Sequence, residues 1–347
     1  MKTLEKFSST PLMVPSVTAI YLTDLAEARG RQELYTRQSP QKLKALKEHA
    51  LIESAVSSNR IEGITVERSR VATVVFGRAL LKDRDEEEVR GYKEALKLIH
   101  EKGVALPVSE DTVKHLHSLS RGGIGDAGSY KTENSDIIEK YPDGRERVRF
   151  RAVTAAETPD AMKNLVLLWN RLPDSNRIPD LLRMAAWNFD FLCVHPFRDG
   201  NGRVSRLMLL LQLYHLGFEV GRYISLERII EETKDRYYET LEESSYGWHK
   251  GKHDPWPYIN YILYTVKTAC NEFESRFTEK AAPRGSKRAM VVEAVGSFKE
   301  DFSVSDILDK SPGVSIDMVR KVLKELQVSG KVVCSVRGRD ARWRGIK

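Results

Sequence analysis

The chain has 347 residues, of which 30% are charged and 41% hydrophobic, with a net charge of +7 and a mean hydropathy of −0.42. That is enough chain to bury a sizeable core in two or three domains. It leaves out a membrane-spanning protein, since no apolar run reaches the ~18 residues a spanning helix needs, and a disulfide or zinc scaffold, since Cys193, Cys270 and Cys334 are odd in number, far apart and set in apolar runs.

Met1 to Ser16 lacks a basic stretch followed by an apolar one, so it does not read as a secretory signal. Reduced core thiols and no signal point to the cytoplasm. Residues 1–40 show no clean period and are broken by Pro11, Pro15 and Pro40, which predicts an irregular lead with one short helix near Thr23–Arg37. From Lys42 to Asn59 the pattern turns helical, with Leu43, Leu46, Ala50, Leu51 and Ala55 on one side. It runs into Ser58-Asn59-Arg60-Ile61-Glu62-Gly63, and Gly63 suits a helix stop. A carboxylate at a helix C-terminus opposes the dipole and asks for a cation. Glu62 is either a solvated helix end or one half of an ion pair.

Two helices follow, Val66 to Leu81 and Asp85 to His100. The acidic run Asp85-Glu86-Glu87-Glu88 reads as negative charge in a helix first turn. A further helix, Asp111 to Ser120, ends at Gly122-Gly123. Then Tyr141-Pro142-Asp143-Gly144 separates two β-forming arms, about Thr132–Glu139 and Arg145–Ala152, which predicts a hairpin. Helices resume over Pro159–Arg171, Pro179–Val194, Gly202–Leu216, Leu226–Tyr246 and Trp256–Phe277, with Ser225 and Asp254 as N-caps.

Between the second and third of these lies His195-Pro196-Phe197-Arg198-Asp199-Gly200-Asn201-Gly202-Arg203-Val204-Ser205-Arg206. Pro196 stops the preceding helix. Gly200 and Gly202 permit a tight turn, and Val204 opens the next helix. A glycine turn leading into a helix N-terminus is an anion site, with free N–H groups at the positive end of a dipole. Arg203 and Arg206 share a face one turn inside it. Asp199 is a hard oxygen ligand suited to Mg2+, and His195 can take a proton at neutral pH. Arg206 can also be the cation that Glu62 lacks, through a bidentate pair.

At these residues the sequence resembles the Fic family, whose motif H-x-F-x-[D/E]-G-N-G-R-x-x-R is met at every fixed position. The resemblance covers about residues 45–278. It implies a mostly α-helical core with a β-hairpin flap, and transfer of AMP from ATP to a Ser, Thr or Tyr hydroxyl of a target protein or of the chain itself. It implies His195 as the base, Phe197 as a core anchor and Asp199 as the Mg2+ ligand. It puts nucleotide binding on Gly200, Asn201, Gly202, Arg203, Val204, Ser205 and Arg206, with Asn201, Gly202 and Arg203 on the α- and β-phosphates and Arg206 on the γ-phosphate. Ser58, Glu62 and Gly63 match the family's inhibitory motif [S/T]-x-x-x-E-[G/N], in which Glu62 would occupy Arg206. The hairpin matches the position of a flap that aligns the target by main-chain pairing. Tyr238 matches a nucleotide-contacting position, though a core aromatic fits it nearly as well. Members of the family often form dimers, so the resemblance implies a homodimer here too.

The resulting domain plan is an N-terminal helical region 1–108 with the inhibitory motif 58–63, a Fic core 109–278 with the flap 129–152, a linker 279–286 and a small α+β domain 287–347. Residues 284–347 hold fourteen Lys and Arg against eight Asp and Glu, a net of +6, so nearly all the basic character lies there. Helices at Lys287–Phe298, Ser305–Lys310 and after Ser315, with Ile316, Val319, Leu323 and Leu326 as the third helix's apolar face, precede β-like arms at Lys331–Val336 and Ala341–Arg344. Three helices and a basic hairpin resemble a winged helix. Its third helix would expose Arg320, Lys321 and Lys324 and its wing Arg337, Arg339 and Arg342. That face suits DNA phosphates, or else protein contacts.

Overall fold

A computed structural model describes residues 1–9, 12–36, 40–67, 69–77, 80–123, 125–140, 144–171, 178–278, 286–298, 301–311, 314–336 and 341–345. The chain divides into two units, Met1–Ser275 and Arg276–Lys347. It is mostly α-helical, with two small antiparallel hairpins among the described residues.

The lead is more regular than its prolines suggest. In place of an irregular segment it forms α1 (Lys2–Ser9) and α2 (Ser16–Thr36). The signal for α1 lies far along the chain. The buried Asp190 carboxylate accepts from the backbone N–H groups of Thr3 and Leu4 at 3.1 Å each, from Thr3 Oγ1 at 2.7 Å and from Trp248 Nε1 at 2.7 Å. A carboxylate there satisfies donors that α1 cannot satisfy itself and complements its dipole. Pro15 stands just before α2, where its missing N–H costs nothing.

Next come α3 (Pro40–Ile61), α4 (Val71–Phe76), α5 (Arg84–Lys102) and α6 (Glu110–Ser120). α4 is far shorter than the expected Val66–Leu81, because Arg90 takes the Val74 and Gly77 carbonyls at 3.1 and 3.2 Å and turns the chain back. The hairpin is β1 (Asp136–Lys140) and β2 (Glu146–Arg151), paired Ile137 to Phe150 and Ile138 to Val148 with an irregularity between the two isoleucines. Its first arm starts later than expected. The preceding residues anchor it instead: Lys131 N–H donates to the Pro196 carbonyl at 2.9 Å, and Asn134 Oδ1 accepts from the Ala155 N–H at 2.8 Å. The Tyr141-Pro142-Asp143 part of the turn lies outside the described residues.

α7 (Thr158–Arg171), α8 (Asp180–Val194) and α9 (Asn201–His215) form the centre. Every residue from Leu181 to Val194 is buried, Arg183, Asn188 and Asp190 among them, because the helix packs against α1, α7 and α9 at once. The one helix expected over Leu226–Tyr246 is two, α10 (Leu226–Glu232) and α11 (Lys234–Ser245). They break at Thr233, whose hydroxyl bonds the Ile229 carbonyl at 2.7 Å and Tyr261 Oη at 2.8 Å, a side-chain competition that threonine readily offers. α12 (Trp256–Thr278) closes the first unit's helices.

The second unit holds α13 (Ser286–Ser297), α14 (Val304–Lys310), α15 (Ile316–Val328), β3 (Val332–Val336) and β4 (Arg342–Gly345) around Val291, Ile307, Val319, Leu323 and Leu326. Ile316 is not in that core but 49% exposed, and Val322 fills the face instead. Ser315 caps α15, so Ile316 falls on the first turn, ahead of the buried stripe. Linker residues 279–285, Pro312, Gly313, Arg337 and Arg339 lie outside the described residues. Among the described residues no helix is long and apolar enough to cross a membrane.

Candidate active site

The loop between α8 and α9 is braced from within. His195 ends α8 in the left-handed region at φ 51°, the one non-glycine residue with positive φ among those described, and its N–H still caps the Phe191 carbonyl at 2.9 Å. Phe197 is fully buried and stacks on His117 with ring centroids 3.7 Å apart. Asn201 closes the loop on itself, its Oδ1 accepting from Phe197 N–H at 2.9 Å and its Nδ2 donating to the Phe197 carbonyl at 2.7 Å. Gly200 then turns at φ 82°, a conformation that favours glycine.

The residues of the expected binding set offer different groups to the site. The Asn201 side chain is spent on the loop, and Val204 and Ser205 are buried, with the Val204 N–H donating to the Gly200 carbonyl at 3.0 Å. The free donors are the N–H groups of Asn201, Gly202 and Arg203, for which no partner exists among the described residues. The Arg203 side chain points inward, with Nε and Nη2 making no hydrogen bond among the described residues. It is fully buried and donates from Nη1 to Glu88, to Asn59 Oδ1 at 3.3 Å and to the Ser120 carbonyl at 3.4 Å.

Glu88 is therefore a structural centre, not merely one charge of a first turn. It also pairs with Arg84 at 2.7 Å and with Arg121 at 3.1 Å. Arg121 in turn holds Asp199, with Arg84 and Arg203 within 3.8 Å of the same carboxylate oxygen. His117 completes the brace. Its Nδ1 accepts from Gly128 N–H at 2.9 Å, so Nε2 is the atom that donates to the Asp199 carbonyl at 3.0 Å. Burial holds its pKa down at about 4, so the ring stays neutral.

Above the free N–H groups sits Glu62, immediately after α3. Arg206 Nη2 donates to Glu62 Oε1 at 2.7 Å, and Arg206 also donates from Nε to Ser58 Oγ at 2.8 Å and from Nη2 to the Ser58 carbonyl at 2.9 Å. Gly63 follows at φ 83°. Burial works against the Arg206 charge, but the adjacent Glu62 carboxylate outweighs it and raises the pKa. Arg206 Nη1 is buried without a partner. A Cβ added at Gly202 would stand 2.2 Å from Glu62 Oε1, so the carboxylate lies directly on the helix N-terminus and a side chain there would push it aside.

Glu62, His195 and Gly202 line a cavity of about 370 Å3 together with Ile137, Phe150 and Leu192. The hairpin supplies one wall. Tyr238 also lines it, half-buried between Arg149 and Lys234, whereas Tyr237 beside it belongs mainly to the core. His195 Nδ1 faces the Leu192 carbonyl at 3.3 Å, leaving Nε2 as an acceptor. Burial, then the Lys131 charge, press its pKa down to about 4. Lys131 was not evident from the sequence. It is buried and holds both carbonyls that flank His195, Pro196 through its N–H at 2.9 Å and Val194 through Nζ at 3.3 Å. The site can thus hold an anion on N–H groups and Arg206 and accept a proton at His195.

Residues 107–213 match the Fic/DOC family. Protein adenylyltransferase Fic of Nematostella vectensis is 25% identical over 231 residues, 63% of this chain and 47% of that protein. Protein adenylyltransferase fic-1 of Caenorhabditis elegans is 23% identical over 222 residues, 61% and 40% of the two. The chain thus spans less than half the length of either relative. A Fic family protein from Desulfovibrio desulfuricans superposes with a TM-score of 0.63 at 20% identity, covering 97% of this chain and 98% of that one. A Fic domain containing signaling protein from Bacteroides thetaiotaomicron does so at 0.62 and 19%, covering 74% and 98%. Likeness at that identity concerns the fold. The loop from His195 to Arg206 falls inside the matched span, and Glu62 and Tyr238 fall outside it. With its helical architecture and its motif on one loop, this chain carries a Fic/DOC-family domain at residues 107–213.

Proposed function

We propose that the chain transfers AMP from ATP to a protein hydroxyl and that Glu62 holds the reaction off. The observation that carries the reading is the cavity that the His195 imidazole, Gly202 at the N-terminus of α9 and Glu62 line together, with Arg206 held directly behind Glu62. The N–H groups of Asn201, Gly202 and Arg203 suit the phosphates, and Arg206, with an unused Nη1, suits the γ-phosphate. The hydroxyl oxygen of the target attacks the α-phosphorus in line. Its proton passes to His195 Nε2, the bond from the α-phosphorus to the bridging oxygen breaks, and pyrophosphate leaves with that electron pair. The protein contributes position and charge stabilisation, the usual means for this chemistry.

The residues present fit Mg2+ to the extent the ion requires. Asp199 offers one hard carboxylate, 57% exposed, and Mg2+ usually takes one or two carboxylates and leaves the rest to phosphate oxygens and water. Bound there, it would neutralise phosphate charge. Intact mass after incubation with ATP and Mg2+ tests the reading. An AMP adduct on the Glu62→Gly chain or on a co-incubated protein supports it, and nucleotide binding without any adduct makes the domain a nucleotide sensor.

For the C-terminal unit we propose duplex DNA binding by a winged helix. What supports this is α15, which leaves Arg320, Lys321 and Lys324 exposed on one helix.

A further inference from the structure

A second groove, of about 950 Å3, lies beside the His195 cavity. One wall is β2 and the other is the turn after α11, residues 246–252. The walls are tied together at both ends. His249 Nε2 bonds the Arg151 carbonyl at 2.7 Å, and its ring stacks on Phe150 at 5.4 Å. Further along, Arg147 and Arg149 both reach Glu242, at 2.7 and 3.3 Å. The groove is therefore built into the fold.

Its lining sets Arg147, Arg149, Arg151, Lys250 and Lys252 against Glu242 and Glu243, so its charge is unbalanced toward the positive. Glu242 is occupied by two arginines, while Arg151, Lys250 and Lys252 are exposed with no carboxylate within 4.0 Å among the described residues. Between these cations stand the Phe150–His249 stack and Tyr246, which is 86% exposed. Arg149, Phe150, Glu242 and Ser245 line both this groove and the His195 cavity, so the two adjoin.

We infer that the groove docks an acidic, extended segment of the protein substrate, whose hydroxyl is then led toward His195. Three unpaired cations call for carboxylates, and the rings between them offer surface to the side chains that alternate with those carboxylates along an extended strand. A peptide is favoured over a nucleic acid because the adjoining cavity, on the adenylyl-transfer reading, must receive a protein hydroxyl. The inference rests on that reading for what the cavity does, but docking itself requires no catalysis. Charged contacts of this kind chiefly set encounter rate and selectivity, and they weaken with salt.

The test compares the full chain with its Arg151→Glu, Lys250→Glu, Lys252→Glu variant. Anisotropy is followed for a labelled tyrosine peptide flanked by Asp and Glu, for its Asn and Gln counterpart, and for labelled ATP. The expected result is that charge reversal weakens the acidic peptide about 10-fold or more at low salt, while ATP binding, which also reports an intact fold, is unchanged. Equal binding of the acidic peptide by both chains overturns the inference, as does equal binding of the acidic and amide peptides by the wild type. So does a labelled single-stranded oligonucleotide that loses binding in the variant where the peptide does not. If the acidic peptide docks as expected and the Glu62→Gly chain forms no adduct with ATP, the activity reading fails and the docking site stands.

Discussion

Glu62 and a γ-phosphate make the same demand on Arg206, and the guanidinium cannot meet both. With Ser58 already taking two of its bonds, the pair locks the end of α3 onto α9. Replacing Glu62 by Gly should raise AMP transfer about 100-fold, the scale on which misplacement of a reacting centre acts. Arg206→Ala should stay slow, and the double variant should be no faster than Arg206→Ala. Initial rates of automodification for the four chains decide this, and a double variant as fast as Glu62→Gly would end the switch. His195→Ala should cost at least ~100-fold in rate and leave nucleotide affinity intact, because the anion site contains no part of the ring. Glu88→Ala is a different kind of change. It takes from the fully buried Arg203 its one close carboxylate and leaves Arg121 with Asp199 alone, which should cost about 3–5 kcal/mol of stability, visible as an early urea midpoint. An unshifted midpoint would mean the cluster is wetter than its burial indicates. The loop itself was legible because its turn, its donors and its cations are consecutive in the sequence. Glu88, Arg121, His117 and Lys131 were not, since each is unremarkable on its own segment and acquires its partners only through packing.

Elements tell the same story at longer range. Helices with their own apolar period, such as α7, α8 and α12, could be placed from the sequence to within a residue or so. Those whose ends are set by a distant side chain could not. α1 depends on Asp190, α4 stops at Arg90, and Thr233 divides α10 from α11. Asp190→Ala should therefore act on one helix. It strips the carboxylate from the Thr3 and Leu4 N–H groups and from Trp248 Nε1, at about 1–3 kcal/mol for each donor left dry. Hydrogen exchange should show α1 amides losing protection while those of α9 keep theirs. Uniform protection in the variant would show that packing of Leu4 and Phe7 alone holds α1.

For the molecule as a whole, acid is the informative stress. Burial is the leading cause that lowers His100, His117, His195 and His253 to about 4 each. An unfolded histidine titrates near ~6.5. Between those values the unfolded chain binds more protons, so stability is full above pH ~6.5 and falls as pH drops toward ~4, by at most ~1.4 kcal/mol per pH unit for each ring. Urea midpoints between about pH 7 and pH 5 should decline, and a flat profile would place these rings in water. The C-terminal unit answers to salt instead. With a net of +6 over residues 284–347, duplex DNA should bind with a steep salt dependence, and Arg320→Ala, Lys321→Ala and Lys324→Ala together should flatten it. Unaltered salt dependence would take α15 out of the contact. The Glu62 contact carries one further consequence. Under the proposed reading, each copy leaves the ribosome with a competitor for its own site attached at a fixed distance. Tethered groups commonly act at millimolar or higher local concentration, whatever the dilution of the chain. Neither the abundance of the protein nor ordinary swings in ATP supply would then set its output. That authority would pass to whatever grips α3 and draws its last turn away from α9.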